Sequence, residues 1–149
     1  MTGAALRSGN MNQSKFPTGI LLLLLLLAGC AGPQVLVCHG AQKSAAVADL
    51  LFGRNIGGRL GVSESAWRQF LAAEVSPRFP AGLTVVDAAG QWRDTDTNRV
   101  VREPSKVVTI VLNDRVRDEA QIDAIAEAYK RRFRQQAVGI VIRPACVAF

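Results

Sequence analysis

The stretch "VVTIVLNDRVRDEAQIDAIAEAYKRRF", residues 107–133, decides the fold because it joins a buried strand to a long helix. Val107–Leu112, interrupted only by Thr109, is apolar on both faces, which is typical of a central strand. The helix is predicted to begin at Asn113 or Asp114, with basic residues at its end matching the helix dipole. One apolar stripe then recurs at helical spacing: Ile122, Ile125, Ala126, Tyr129 and Phe133.

Outward from this unit, the sequence predicts three more strands and one more helix. The order strand, helix, strand, strand, helix, strand predicts an α+β, ferredoxin-like split βαβ (βαββαβ) fold. Such a fold has a four-stranded antiparallel sheet with two helices on one face, and right-handed crossovers place its first and third strands centrally. The first strand is predicted in 47–55, and a short helix leads into it. A helix follows in 62–77, and strands follow in 82–92, 99–113 and 137–149. Pro104 indicates an edge or a bulge in the strand 99–113.

A nine-residue apolar run, Ile20–Ala28, follows Lys15 near the start of the chain. It is too short for a spanning helix, which needs about 20 residues, and it fits the apolar region of a signal peptide. Met11 is a second candidate start. The following "LAGC" resembles the lipobox of bacterial lipoproteins, which implies cleavage before Cys30 and its acylation. An ordinary secretory signal with a chance cysteine is the alternative.

These features predict a periplasm-facing lipoprotein held in the membrane through acylated Cys30. The residue after Cys30 is Ala31 and not Asp, so the outer membrane is the expected destination. The predicted boundaries are a signal peptide in 1–29, a tether in 30–45 and one α+β domain in 46–149. The net charge of +6 includes two basic residues of the leader. A mild positive charge outside the cytoplasm argues against nucleic acid as a partner.

Two cysteines remain after the leader, Cys38 and Cys146. An oxidising compartment favours a disulfide between them, and the predicted topology brings the last strand beside the first. Two free thiols are the alternative. Because His39 is the only histidine and no cluster has ligand spacing, we expect no metal and no cofactor.

The glycine-rich loop "FGRNIGGRLGVS", residues 52–63, lies between a strand and a helix. Backbone amides at such a place can hold an anion, so the loop is a candidate anion site. A connecting loop is the alternative, since glycines commonly mark turns. The loop lacks the Lys-Ser/Thr of a nucleotide-binding P-loop. The candidate anion-binding residues are Arg54, Asn55, Gly57, Gly58 and Arg59.

Five segments in order, "LFGRNI", "RFPAGLTVVDAAGQW", "REPSKVV", "AYKRRF" and "PACVAF", resemble a bacterial, often lipoprotein-like family known as domain of unknown function 3574. The resemblance covers about residues 46–149. It implies no established activity, so it assigns no catalytic residue to this chain.

The sequence offers no catalytic constellation, which favours binding or an envelope-associated role with an unknown ligand. The alternative is a small dimeric ferredoxin-like enzyme that acts on a small molecule at the open sheet face. A structural protein of the envelope is a third class. One row of residues from each strand must face away from the helices, and either choice leaves aliphatic side chains there. On the central strand the two rows are Val108, Ile110 and Leu112, and Val107 and Val111. Because a contiguous apolar patch usually marks an interface, we predict a homodimer packed sheet to sheet, or a ligand between sheets.

Overall fold

The computed structural model describes residues 36–149, and Cys30 and the predicted signal peptide lie outside the described residues. The described residues contain four long strands, a short hairpin and two helices. Their bounds are β1 Lys43–Gly53, β2 Asn55–Ile56, β3 Arg59–Leu60, α1 Glu64–Phe70, β4 Thr84–Arg93, β5 Val100–Leu112, α2 Arg115–Phe133 and β6 Gly139–Val147.

The four long strands form one antiparallel sheet in the order β4-β5-β1-β6. The first and third long strands, β1 and β5, are central, as right-handed crossovers require. This order confirms the predicted ferredoxin-like fold. The short strands β2 and β3 pair separately, and they turn at Gly57 and Gly58, whose positive φ angles suit a tight hairpin turn.

The hydrophobic core lies between the sheet and the helices. Alternate residues of the central strands point into it, because side chains of a strand alternate between its faces. Leu50 of β1 lies opposite Val108 of β5, and both are fully buried. The predicted apolar stripe of α2 is buried against them, together with aromatic rings that contact one another: Phe52, Trp67, Phe70, Tyr129 and Phe133.

Both helices begin at side-chain caps. The Ser63 hydroxyl accepts the Ala66 N–H at 3.1 Å, and the Asp114 carboxylate accepts the Arg117 N–H at 3.1 Å. Such caps satisfy backbone donors that lack partners within the helix. A π-helical turn, Leu71–Val75, continues α1.

The predicted start of the first strand was wrong. The expected short helix before the first strand is absent from the described residues, and Lys43–Ala45, placed in the tether, belong to β1. The reason is that β6 extends to Val147 and pairs with them. At Pro104 the predicted edge is present, because the pairing of β5 with β1 ends at Ser105 while its pairing with β4 continues, although Pro104 does not break β5. Pro104 lies one residue past the last β1–β5 pair, Gly53 with Ser105, so its missing N–H costs no ladder hydrogen bond.

Candidate functional site

A pocket of about 290 Å³ lies where β1 ends. After Gly53 the chain leaves the sheet, whereas β4 and β5 continue as a two-stranded hairpin. On the other side, β6 begins at Gly139, opposite Leu51. The space between the hairpin and the start of β6 is called the strand-end pocket here. Its lining comprises Leu51, Gly53, Gly90, Gln91, Trp92, Glu103, Ser105, Gln135, Gln136, Ala137 and Gly139.

Three glycines form a floor of the strand-end pocket, against which other side chains of the lining pack closely. A Cβ on Gly53 would clash with the Glu103 carboxylate. A Cβ on Gly90 would lie 2.5 Å from the Ser105 hydroxyl, and one on Gly139 would lie 3.0 Å from Leu51. Glycine within a strand commonly marks a close approach of this kind. The absent side chains therefore leave the space that Glu103, Ser105 and Leu51 occupy in the lining of the pocket.

Glu103 places a carboxylate against this floor. The residue is only 9% exposed, and its Oε2 accepts the Asn55 N–H at 2.9 Å. Among residues 36–149, no donor and no cationic side chain bonds to its other oxygen, Oε1. A buried carboxylate usually has several donors or a cationic partner. The strand-end pocket thus contains a carboxylate oxygen with unused hydrogen-bonding capacity.

Trp92 lies on the same face of the hairpin as Glu103. The register pairs Gly90 with Glu103 and Trp92 with Val101, so Trp92 and Glu103 are diagonal neighbours, with Cβ atoms about 7–8 Å apart. The indole is 36% exposed. Two glutamine amides close the opposite side: Gln136 donates to Asp96 of the hairpin turn at 3.0 Å, and Gln135 donates to the Asn55 carbonyl at 2.7 Å.

The predicted anion-binding residues surround the β2–β3 hairpin and do not converge on one point. The buried Arg54 side chain donates to the Val62 carbonyl at 2.9 Å and forms an ion pair with Glu64 at 3.2 Å. Arg59 is exposed, and Gly57 and Gly58 form the turn. The Asn55 N–H is used by Glu103. Anion binding here stays a prediction.

Lys106 joins the same ion network from β5. Although its side chain is only 4% exposed, it contacts Glu64 at 3.0 Å and also Asp87. Burial lowers the pKa of Lys106, but hydrogen bonds to Asp87 and Glu64 outweigh it, so the pKa lies above its ordinary value. The Lys106 hydrogen bond likewise lowers the pKa of Asp87. This network links α1 to β4 and β5.

The open face, meaning the sheet face turned away from the helices, is less uniformly aliphatic than predicted. Asp49 lies at its centre, where it accepts the Thr109 hydroxyl at 2.7 Å and pairs with Arg143. The hydrogen bond from Thr109, followed by that from Arg143, lowers the pKa of Asp49. Aliphatic side chains surround this group, and three of them are well exposed: Leu51, Val86 and Val141.

The predicted disulfide joins Cys38 to Cys146, with a Cα–Cα distance of 5.5 Å. It ties the segment before β1 to the end of β6, next to the Ser44–Cys146 strand pair. His39 is exposed in that same segment. Within residues 36–149, no group of three His, Cys, Asp or Glu side chains could hold a metal ion. None of the helices in the described part is long and apolar enough to span a bilayer.

The sequence reasoning did not identify Glu103, Trp92 or the strand-end pocket. Gly90 was the available signal, because a glycine inside a strand pattern suggests a close approach. The position of Glu103 depends on the β4–β5 register, which the sequence does not specify to a single residue.

The fold and pocket define a ferredoxin-like α+β domain with a cleft at the end of a central strand. The chain belongs to the family described as "Protein of unknown function (DUF3574)", whose sequence model matches residues 47–149. This confirms the predicted family. The comparison with curated proteins found no match.

Solved structures with a similar fold include a phage SAM lyase in complex with S-methyl-5′-thioadenosine. It has a TM-score of 0.58 and 15% identity, covering 78% of this chain and 97% of that chain. The same lyase in the apo state gives a TM-score of 0.56 and 14% identity, with the same coverage. CutA from Synechococcus elongatus PCC7942 with Bis-Tris gives 0.46 and 11% identity, covering 72% and 87%. At these identities, the two lyase structures indicate a shared fold alone.

Proposed function

We propose that the chain is a lipid-anchored, periplasm-facing domain that binds a small molecule in the strand-end pocket. The observation that carries this proposal is a pocket whose glycine floor lets a buried carboxylate pack close to the strands, beside an exposed indole. A concave site with few polar groups is the usual form of a small-molecule site. Its volume of about 290 Å³ suits a ligand of metabolite size.

The position of the pocket agrees with attachment through Cys30. The chain enters the domain beside the disulfide, and β1 then runs for 11 residues to Gly53. A strand of that length spans about 36 Å. The strand-end pocket therefore lies at the far end of β1 from the entering segment, where a membrane-tethered domain would present it to the periplasm.

The anchor is tested by Cys30→Ser in the full chain with its leader, expressed in a bacterium with an outer membrane. Wild type should fractionate with the outer membrane and carry the mass of an acylated N-terminal cysteine. The variant should lose both properties, because acylation needs the thiol and stable anchoring needs several acyl chains. An unchanged mass and membrane fraction for Cys30→Ser would show that the anchor is wrong.

The pocket is tested by filling it. Ala137 is exposed and lines the pocket, so Ala137→Trp should block it without disturbing the core. Thermal unfolding of the full chain is measured with a panel of amines, amino acids, nucleosides and sugars. At least one class should raise the Tm of wild type and of the matched control Ala124→Trp, on the exposed side of α2, but not that of Ala137→Trp. No such class, or an equal rise in all three proteins, overturns the proposal.

An enzyme is the second candidate, favoured by the shared fold over 97% of the phage SAM lyase chain. That protein was solved with S-methyl-5′-thioadenosine, and an adenine ring is a suitable partner for an exposed indole. The full chain is incubated with S-adenosylmethionine, and release of S-methyl-5′-thioadenosine is followed by mass spectrometry. Release that Ala137→Trp abolishes and Ala124→Trp retains would establish this candidate, and no release would remove it.

A homodimer through the open face completes the proposal. The central part of the face carries one acid and one base, Asp49 and Arg143, which neutralise each other. The chain without the two basic residues of its leader has a net charge of 6 − 2 = +4. A neutral face with exposed aliphatic side chains can meet a second copy of itself without charge repulsion.

A further inference from the structure

We infer that the strand-end pocket takes a small organic cation with N–H donors, such as a protonated amine or an amidinium, with Glu103 as its counter-ion. This inference rests on the proposed function, since it names the chemical class that the same pocket binds. The solved structures of similar fold indicate the fold alone, and the inference is argued from the residues of this chain.

The first support is the incomplete set of partners around Glu103. The side chain is more than nine-tenths buried, yet within residues 36–149 its carboxylate accepts one hydrogen bond, from the Asn55 N–H. The buried Asp118 carboxylate, in contrast, accepts N–H groups from Asn113 and Asp114 and pairs with Arg117. Among the described residues no fully buried side-chain oxygen lacks a hydrogen-bond partner, so the unbonded Oε1 of Glu103 is accessible to a ligand. A carboxylate with so few partners from its own chain is stabilised when a cation or further donors join it. A bound N–H cation supplies both.

The second support is that two buried cationic side chains of the neighbouring elements are engaged with other partners. Arg54 adjoins the end of β1, but its guanidinium pairs with Glu64 and with the Val62 carbonyl. Lys106 lies on the helix-side face of β5 and pairs with Glu64 and Asp87. Neither forms an ion pair with Glu103, so the negative charge beside the pocket is available to a ligand.

The third support is the aromatic surface next to the carboxylate. Trp92 projects from the same face of the hairpin as Glu103, one cross-strand diagonal away. An exposed indole attracts a cation over its ring, and a planar amidinium can also stack on it. A neutral ligand would gain only part of these interactions. An anion would be repelled by the unpaired carboxylate.

The test uses two probes of the same shape, benzamidine as the cation and benzamide as its neutral counterpart. The chain has two tryptophans, and Trp67 is buried in the core, so the indole N–H signals in an NMR spectrum separate pocket from core. With the full chain, benzamidine should shift the Trp92 signal and leave that of Trp67 in place. Its affinity should exceed that of benzamide by about tenfold or more, as expected for charge-assisted hydrogen bonds.

Glu103→Gln keeps the shape of the side chain and an acceptor for the Asn55 N–H, but it removes the charge. It should reduce the affinity for benzamidine to about that for benzamide. The matched control is Glu119→Gln, which removes the same charge from an exposed site on α2, and it should bind benzamidine as wild type does.

Equal affinities for the two probes in wild type, or unchanged benzamidine binding in Glu103→Gln, would overturn the cation inference. If neutral molecules still shift the Trp92 signal and Ala137→Trp abolishes that shift, the pocket is a binding site for a different ligand class. If no molecule of any class binds there, the proposed function fails as well, so the two failures are distinguishable.

Discussion

At the residue scale, the described domain contains carboxylates that are stabilised by neighbours of the same chain, and Asp118 is the clearest. Burial raises the pKa of Asp118, but N–H groups of Asp114 and Asn113 and the nearby Arg117 outweigh it, so its pKa lies below the ordinary value. The carboxylate thereby fixes the turn between β5 and α2. Its ionised form is favoured in the folded state, which makes its contribution depend on pH.

Asp118→Asn tests this contribution. At pH 7 the variant should lose about 1–2 kcal/mol of unfolding free energy, because charge-assisted hydrogen bonds become neutral ones. The folded-state pKa is lowered, so the stabilisation is present above the unfolded pKa of about 3.9 and is lost as pH falls through the folded pKa. Urea unfolding should therefore show the gap between wild type and variant narrowing below pH 4. Asp123→Asn on the exposed side of α2 is the control, and a gap independent of pH would contradict the assignment.

The same scale shows why the site was harder to predict than the fold. Arg54 and Gly57 stood out in the sequence as a basic, glycine-rich loop, but the Arg54 guanidinium turns inward to Glu64. Glu103 was not noticed because nothing in "VVREPSK" shows which residue faces a pocket. Its role depends on glycines in two other strands, Gly53 and Gly90, and such coincidences across strands follow from register.

At the element scale, the apolar periodicity predicted the helices and strands because burial against one core imposes it. The stripe of α2 is buried as expected. In Val107–Leu112, Val108, Ile110 and Leu112 are buried, whereas Val107 and Val111 are half-buried on the open face. The β2–β3 hairpin was not predicted, since two-residue strands have no period to detect. The start of β1 was missed for another reason: Lys43–Ala45 are held by pairing with β6, a long-range contact that local sequence does not encode.

The Cys38–Cys146 disulfide ties the segment before β1 to the end of β6, and β1 and β6 also pair with each other. Removing Cys146 should therefore weaken the contact between these two strands. Cys38 and Cys146 are separated by 108 positions, and a loop of that size contributes about 4–5 kcal/mol in the chain-entropy account. Cys146→Ser should lower the unfolding free energy by about that amount in urea denaturation. The double variant Cys38→Ser/Cys146→Ser should lose no more than either single variant, because one bond is removed in each. Additive losses, or two free thiols in wild-type protein from the periplasm, would contradict this account.

At the scale of the whole molecule, the open face is the largest feature without a described partner. Four strands about 4.8 Å apart and some 30 Å long give a face of about 600 Å² per copy. Two such faces would bury about 1,200 Å², the lower limit for a stable, specific interface. Exposed Val86 and Val141 supply apolar contacts, and Leu51 lies where this face meets the strand-end pocket. The Asp49–Arg143 pair can meet its own copy across a two-fold axis, with acid facing base.

A homodimer packed sheet to sheet should therefore be broken by charge placed on that face. Val107 and Val111 are half-buried on the open face of β5. The double variant Val107→Lys with Val111→Lys adds two ammonium groups to each copy, so the two-fold interface would contain four. These like charges repel one another and lose their hydration in the interface. In the monomer, the long lysine side chains can still reach solvent. Sedimentation of the full chain without its acyl anchor, as Cys30→Ser, should give a dimer, and the double-lysine form should sediment as a folded monomer.

The matched control is Val100→Lys with Val116→Lys, two exposed valines away from the open face, which should remain dimeric. The dimer would be contradicted if the protein without further substitutions sediments as a monomer at high concentration, or if both double variants remain dimeric. The open face would then contact water or another partner.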